Sequence, residues 1–178
     1  INSKKEIIRI KNEESITLEV KSTHNGPILS ENLLRADLIR PKNHEISLKW
    51  TGLSDNDRSI EAFISIMRSK TTAQAKKSLS LLQAPGQNFL IVDPENIELV
   101  TAGTIPKRNL DHSTKGKIPS LGWNSKNSWY GSLPFHRHPS IKNPKSGMIV
   151  NTNNKTTEES FPYHVSYDWG DSQRIIRA

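Results

Sequence analysis

The pattern of apolar and polar positions opens the chain with a hairpin. EIIRI (6–10) and SITLEV (15–20) flank the polar turn KNEE, and Ile16, Leu18 and Val20 recur every second residue. THNGPIL follows, with Gly26-Pro27 as a turn marker before a short apolar run. EISLKW (45–50) alternates again, with Ile46, Leu48 and Trp50 on one face of a predicted strand. The period then changes. Ile60, Phe63, Ile64 and Met67 stand at i, i+3, i+4 and i+7, which predicts a helix burying that stripe. Ser54 is its expected cap, and Asp55 and Asp57 suit the positive end of the helix dipole. Thr71 or Thr72 caps a second predicted helix that turns Ala75, Leu79 and Leu82 inward and ends at Pro85-Gly86.

NFLIVD (88–93) reads as a buried strand and IELVTAG (97–103) as its alternating hairpin partner across PEN. Residues 104–146 are punctuated by proline and glycine. A structureless run of that length is unusual inside a compact domain. Trp123, Trp129, Tyr130 and Phe135 therefore predict an ordered loop pinned by aromatics. Met148–Val150 reads as a short buried strand, and SQRIIRA as the first turns of a helix. The fold class is α+β, in one unit over 1–178: hairpins and helices over 1–103, the loop over 104–146, and an asparagine-rich segment with the start of a helix over 147–178.

Composition narrows the function. The apolar share of 33% is thin for a self-sufficient domain. The formal charge of +7 is spread without a basic run, which favours a solvated basic surface over a nucleic-acid groove. With no cysteine, thiolate metal sites, disulfides and cysteine nucleophiles are excluded. No apolar run reaches membrane-spanning length, and INSKKEIIRI is not a signal peptide. The first residue, Ile1, and the closing helix start lead to the expectation of a piece of a longer polypeptide.

Several side chains invite chemistry. His136 and His138 form an H-x-H pair without a third ligand at a recognisable spacing, and surface histidines are the simpler reading. Asp168 and Asp171 have the oxygen chemistry of calcium ligands, against an N-cap role for Asp171 or Ser172. Asn154-Lys155-Thr156 is a glycosylation sequon, which matters only in a eukaryotic secretory route. The stretch GMIVNTNNK places Asn151, Asn153 and Asn154 at the end of the predicted strand. Carboxamides there either shape a turn or aim an uncharged N–H at a developing oxyanion, with an arginine such as Arg174 orienting the group through its oxygen.

The order of motifs resembles the penicillin acylase (penicillin amidase) family of N-terminal-nucleophile hydrolases over nearly the whole chain. THNGPIL is similar to T-x-H-G-P-V with Asn25 as an extra residue or a substitution, and LKWTGL to R-W-T-G-L. IMRSKTTAQAKKSL is similar to the family's N-R-A-K-N-W-x-E-F helix pair, with Thr72 at the Trp position. APGQNFLIVDPENIELVTAGTIPKR, GWNSKNSWYGSLPF, NPKSGMIVNTNNK and FPYHVSYDWGDSQRI follow in family order.

The resemblance implies the middle of a β subunit within a four-layer αββα sandwich. The parent would hydrolyse linear amides through a serine acyl-enzyme. Asn153 would be the side-chain donor of the oxyanion hole, and Arg174 the residue holding Asn153 and a substrate carboxylate. Phe63 and Gln87 would line the substrate's acyl side, and Asp168 would be a calcium ligand. No organic cofactor is implied. The nucleophile is expected upstream of Ile1, and the partners are the α subunit, the β-chain start and a small amide substrate. The acyl group (arylacetyl, aliphatic or an acyl-homoserine lactone chain) is left open, and a periplasmic site follows by family analogy. Two rival readings stay open: a non-catalytic family member serving as a binding or scaffold protein, and a basic nucleic-acid-binding module.

Overall fold

The computed structural model describes residues 1–170 and 172–178, with Leu34 described by its backbone alone. It forms two compact units, Ile1–Leu53 and Ser54–Ala178.

In the first unit, β1 (Asn2–Ile8) and β2 (Ile16–Thr23) pair antiparallel from Ile8↔Ile16 to Asn2↔Ser22, as the alternation predicts. The turn places Asn12 at φ 64°, a conformation asparagine tolerates. β3 (Gly26–Pro27) extends the sheet against the end of β2. Gly26 is at φ 126°, and a Cβ there would lie 2.1 Å from the Leu48 carbonyl oxygen, so only glycine fits. Residues 45–50 do not form the predicted strand. They make a single bridge, Ile28↔Ser47, flanked by Leu29 N–H to Ile46 O (2.9 Å) and Leu48 N–H to Pro27 O (2.9 Å). Alternation alone does not make a strand when the partner is this short. A one-turn helix, α1 (Ala36–Ile39), precedes it.

The second unit holds the core. α2 (Ser59–Met67) and α3 (Thr72–Leu79) pack over a three-stranded antiparallel sheet of β4 (Gln87–Val92), β5 (Ile97–Ala102) and β8 (Ser140–Lys142), in the order β4-β5-β8. Between β5 and β8, β6 (Pro106–Arg108) pairs with β7 (Trp129–Ser132). The core is Ala62, Leu79, Leu82, Val100 and Ala102, with Ile66, Phe89, Ile91 and Phe135 packed on it.

α3 follows the sequence reading. Thr71 Oγ1 accepts from Gln74 N–H at 3.2 Å, and Ala75, Leu79 and Leu82 are buried. α2 does not. The predicted inward stripe faces out, with Ile60 74% and Met67 85% exposed, while Ser59, Ala62 and Ile66 face in. A buried hydroxyl sets this rotation. Ser59 Oγ donates to Asp57 Oδ1 (2.5 Å) and accepts from Gln83 N–H (3.0 Å) and Ala84 N–H (3.1 Å). Turning α2 by a third of a turn would bury Ile60 and strand all three bonds. The expected cap Ser54 instead accepts from Asn56 N–H (3.3 Å), and Asp57 receives the Ser59 N–H (2.9 Å).

The roles of the two hairpin strands are also reversed. β4 is half-covered, with Leu90 and Val92 exposed, whereas Glu98 through Ala102 of β5 are all buried. The cause is β8, which comes from the predicted loop and pairs with the far side of β5. The loop is ordered as expected, and Phe135 reaches the core, but Trp123 (68% exposed) and Tyr130 lie on the surface. His138 is buried, not a surface residue. Its Nδ1 lies 3.1 Å from Thr101 O and its Nε2 3.1 Å from Leu133 O, and burial lowers its pKa despite those two carbonyls. Met148–Val150 is not a strand, and Met148 is exposed. α4 (Ser172–Ile176) begins where the terminal helix was predicted, and the cap assigned to Asp171 lies outside the described residues.

The β4–β5 turn and α3 are tied by one carboxylate. Asp93 Oδ2 accepts from Thr72 N–H (2.8 Å) and Thr72 Oγ1 (2.9 Å), and its Oδ1 accepts from Glu95 N–H, Asn96 N–H and Asn96 Nδ2. These donors, the Thr72 amide first, hold the Asp93 carboxyl well below the usual carboxylate range. A depressed folded-state pKa adds stability that is full above the unfolded value, about 3.9, and is lost as pH falls through the folded value. Asp93→Asn should therefore lower the urea midpoint at pH 7, and the gap to wild type should narrow below about pH 4. Urea unfolding of both proteins at pH 7, 5 and 3 checks this. A gap independent of pH would show that shape, not charge, holds the turn.

Candidate active site

The asparagine segment is a loop, and its three carboxamides are not equivalent. Asn154 Oδ1 accepts from Thr152 N–H (3.0 Å) and from Asn151 Nδ2 (3.4 Å). Asn151 Oδ1 accepts from Asn153 N–H (3.4 Å) and from Asn88 Nδ2 of β4 (3.4 Å). Both therefore fold the loop on itself and onto the sheet, the turn-shaping role asparagine often has.

Asn153 differs. Its backbone is left-handed, φ 68°. Its carbonyl accepts from Gly170 N–H at 2.7 Å, and its Oδ1 accepts from Arg174 Nη2 at 3.0 Å. The same Nη2 donates to Thr152 O at 2.7 Å. A guanidinium only donates, so Oδ1 must face Arg174 and Nδ2 must point away from it. Asn153 is exposed, and among the described residues no hydrogen bond from Nδ2 occupies it. Among the described residues the arrangement leaves an uncharged N–H pair without a protein acceptor. The α4 residue Arg174 and the loop residue Asn153 are thus brought together.

The other predicted residues are placed elsewhere. Phe63, on α2, is 39% exposed and lies 6.5 Å from the Phe89 ring of β4, tilted by 46°. Gln87 opens β4, is exposed, and shares Phe89's side of the strand, since side chains alternate. Asn88 points to the other side, where the asparagine loop attaches. Asp168 is exposed, and among the described residues no group of three His, Cys, Asp or Glu is arranged to hold a metal ion. A cavity of about 440 Å³ between β8 and residues 156–162 is lined by His138, Glu158 and Phe161 among others, and by none of the predicted site residues.

Sequence reasoning missed three residues that build the loop's seat. Asn88 is one. A carboxamide inside the apolar run NFLIV is costly unless paired, which was the available signal. Thr101, directly across from Asn88 in register, is the second; its Oγ1 donates to Asn88 Oδ1 at 2.8 Å. Gly170 is the third. A Cβ there would lie 2.9 Å from Asn153 Cβ and 3.1 Å from Asn153 O, and nothing in the sequence marks that close approach.

The fold has a counterpart among solved structures, and the sequence matches a known family. The chain superposes on a thermostable penicillin G acylase from Alcaligenes faecalis with a TM-score of 0.71 at 21% identity, over 93% of this chain and 29% of that one. The family model for penicillin amidase matches residues 1–178, and the chain belongs to that family. An acyl-homoserine lactone acylase QuiP of Pseudomonas aeruginosa is 25% identical over 178 residues, 98% of this chain and 21% of that protein. Penicillin G acylase of Escherichia coli is 29% identical over 97% of this chain and 19% of its own length. The chain thus spans about a fifth of the curated relatives it matches. Among the described residues, no helix is long and apolar enough to cross a membrane.

Gly170→Ala tests the contact with the loop. The added methyl meets backbone on a short, hydrogen-bonded segment, so it should destabilise by about 1–3 kcal/mol, the range for overpacking. Chemical denaturation measures it. A loss under about 0.5 kcal/mol, ordinary for a surface substitution, would mean that the loop yields freely.

Proposed function

We propose that the chain is part of an amidohydrolase that cleaves linear amide bonds of penicillin-type or N-acyl substrates through a serine acyl-enzyme, and that Asn153 Nδ2 is one donor of its oxyanion hole. One observation carries the assignment: Arg174 claims the carboxamide oxygen of Asn153 and leaves Nδ2 open. Family membership supports the reaction class.

In this reading the serine hydroxyl, supplied by the rest of the parent protein, attacks the amide carbon and gives its proton to the α-amino base. The carbonyl oxygen becomes an oxyanion and accepts from Nδ2. Collapse breaks the C–N bond, the amine leaves with the proton, and water releases the acyl group through a second oxyanion at the same donor. A carboxamide suits this task because it is neutral at every working pH and carries no competing proton equilibrium. Arg174 adds a fixed cation behind the carboxamide, which polarises the N–H bonds toward the oxyanion. Phe63 and Gln87 are proposed acyl-side residues on separate grounds. The half-open Phe63 ring beside Phe89 supports an apolar wall there, and the oxyanion assignment does not depend on it. Calcium binding through Asp168 would need ligands beyond the described residues.

In the full-length enzyme, Asn153→Ala should lower kcat by about 10²–10³ with little change in KM, as for loss of one oxyanion-hole donor. Arg174→Ala should act in the same direction, and the double variant should fall short of additivity. Steady-state turnover of a chromogenic phenylacetyl amide measures all three. Wild-type kcat in a correctly processed Asn153→Ala enzyme would end the assignment.

A further inference from the structure

We infer that Asn88 and Thr101 are positioning residues for Asn153, acting through Asn151; this rests on the oxyanion reading above. Asn153 sits in a loop at φ 68°, a conformation asparagine tolerates, so its placement depends on the hydrogen bonds around it. On its carbonyl side the fixing bonds come from Gly170 and Arg174. On its amide side they come from the sheet, through one connected set of hydrogen bonds.

The direction of every bond in that set follows from its two ends. Thr152 N–H can only donate, so the Asn154 atom it meets at 3.0 Å is Oδ1. Asn151 then turns Nδ2 to that oxygen and Oδ1 to the Asn153 N–H. Asn88 must offer Nδ2 to the same Asn151 Oδ1, which leaves its own Oδ1 to accept from Thr101 Oγ1 at 2.8 Å. Thr101 has a single hydroxyl proton, so in the 3.1 Å contact with Thr156 Oγ1 it is Thr156 that donates. No carboxamide can be flipped without setting like atoms against each other. The base of the set is the directly opposed pair Asn88↔Thr101 on β4 and β5. A strand pair holds a group more accurately than a loop does, and reaction rates respond steeply to misplacement on the ångström scale.

The experiment compares isosteric variants in the full-length enzyme. Asn88→Asp keeps the acceptor for Thr101 but sets an oxygen against Asn151 Oδ1, which must turn and release the Asn153 N–H. kcat should fall by roughly 10-fold to 100-fold, the scale for a small misplacement of a catalytic group, with KM changed less than about 2-fold. Thr101→Val should lower kcat in the same way, and Thr101→Ser, which restores the hydroxyl, should return it to near wild type. In an Asn153→Ala background Asn88→Asp should cost little more, because both act on one donor. A merely structural Asn88 would lower the melting temperature and cost the same factor in both backgrounds. Should Asn153→Ala lower kcat while Asn88→Asp in folded enzyme leaves it unchanged, or costs the same factor with Asn153 absent, the positioning role is overturned. Equal kcat for Thr101→Val and Thr101→Ser overturns it too, and keeps the test open if Asn88→Asp does not fold. Wild-type kcat for Asn153→Ala would instead remove the oxyanion reading itself.

Discussion

From Glu98 to Ala102, β5 is covered on both faces, and a polar atom there must find a partner inside the protein or cost a kilocalorie or more. The unit is arranged around meeting that demand. Glu98, 2% exposed, is paired with Lys76 and so fixes α3 over the strand. The Thr101 N–H bonds to Pro139 O at 2.9 Å, and the Thr101 carbonyl faces His138 Nδ1, which draws the chain back from the long loop and places β8 beside β5. The Thr101 hydroxyl bonds to Asn88 and Thr156. Helix, returning loop and asparagine segment are therefore all anchored to one strand by its polar groups, while apolar contacts of Val100 and Ala102 supply the cohesion.

This separates what the sequence reveals from what it hides. The first hairpin, α3 and the β4–β5 pair were legible because each is a local pattern with a local partner, and the pairing Ile8↔Ile16 or the Thr71 cap needs nothing distant. The rotation of α2 was not, because a Ser59 hydroxyl bonded to Gln83 and Ala84, more than twenty residues away, outweighs the apolar period of Ile60, Ile64 and Met67. β8 escaped for a related reason. Ser140, Ile141 and Lys142 have no strand signature of their own and become one because β5 has a free edge. Met148–Val150 shows the converse, an apolar triplet that pairs with no described strand. Asn153 was singled out among the three asparagines only through family motif order, since the 20 positions between it and Arg174 carry no spacing rule.

The apolar stripe of α2 remains on the surface, and so do Ile16, Leu18 and Val20 on β2 of the first unit. The periodicity is genuine in both elements; what differs is the surface that it meets. A third of the chain's residues are apolar, and the apolar faces of these regular elements are exposed among the described residues. That is why helix and strand periods predicted secondary structure better than burial.

Hydrogen-bond accounting distinguishes the three asparagines more sharply than position does. Asn151 and Asn154 have both ends of the carboxamide engaged, so neither can serve a ligand without unmaking the loop. Asn153 has its oxygen bound and, among the described residues, no acceptor on its nitrogen, and its exposure leaves that nitrogen accessible to water. A substrate that excludes the water exchanges it for the carbonyl oxygen. The exchange is close to neutral while that oxygen is a carbonyl and becomes favourable as charge gathers on it, which is the differential that accelerates a reaction. The same N–H held in a folded network, as in Asn151, would have nothing to offer at that moment. The proposed chemistry thus turns on which carboxamide atom is left unbonded, and Arg174 takes the oxygen.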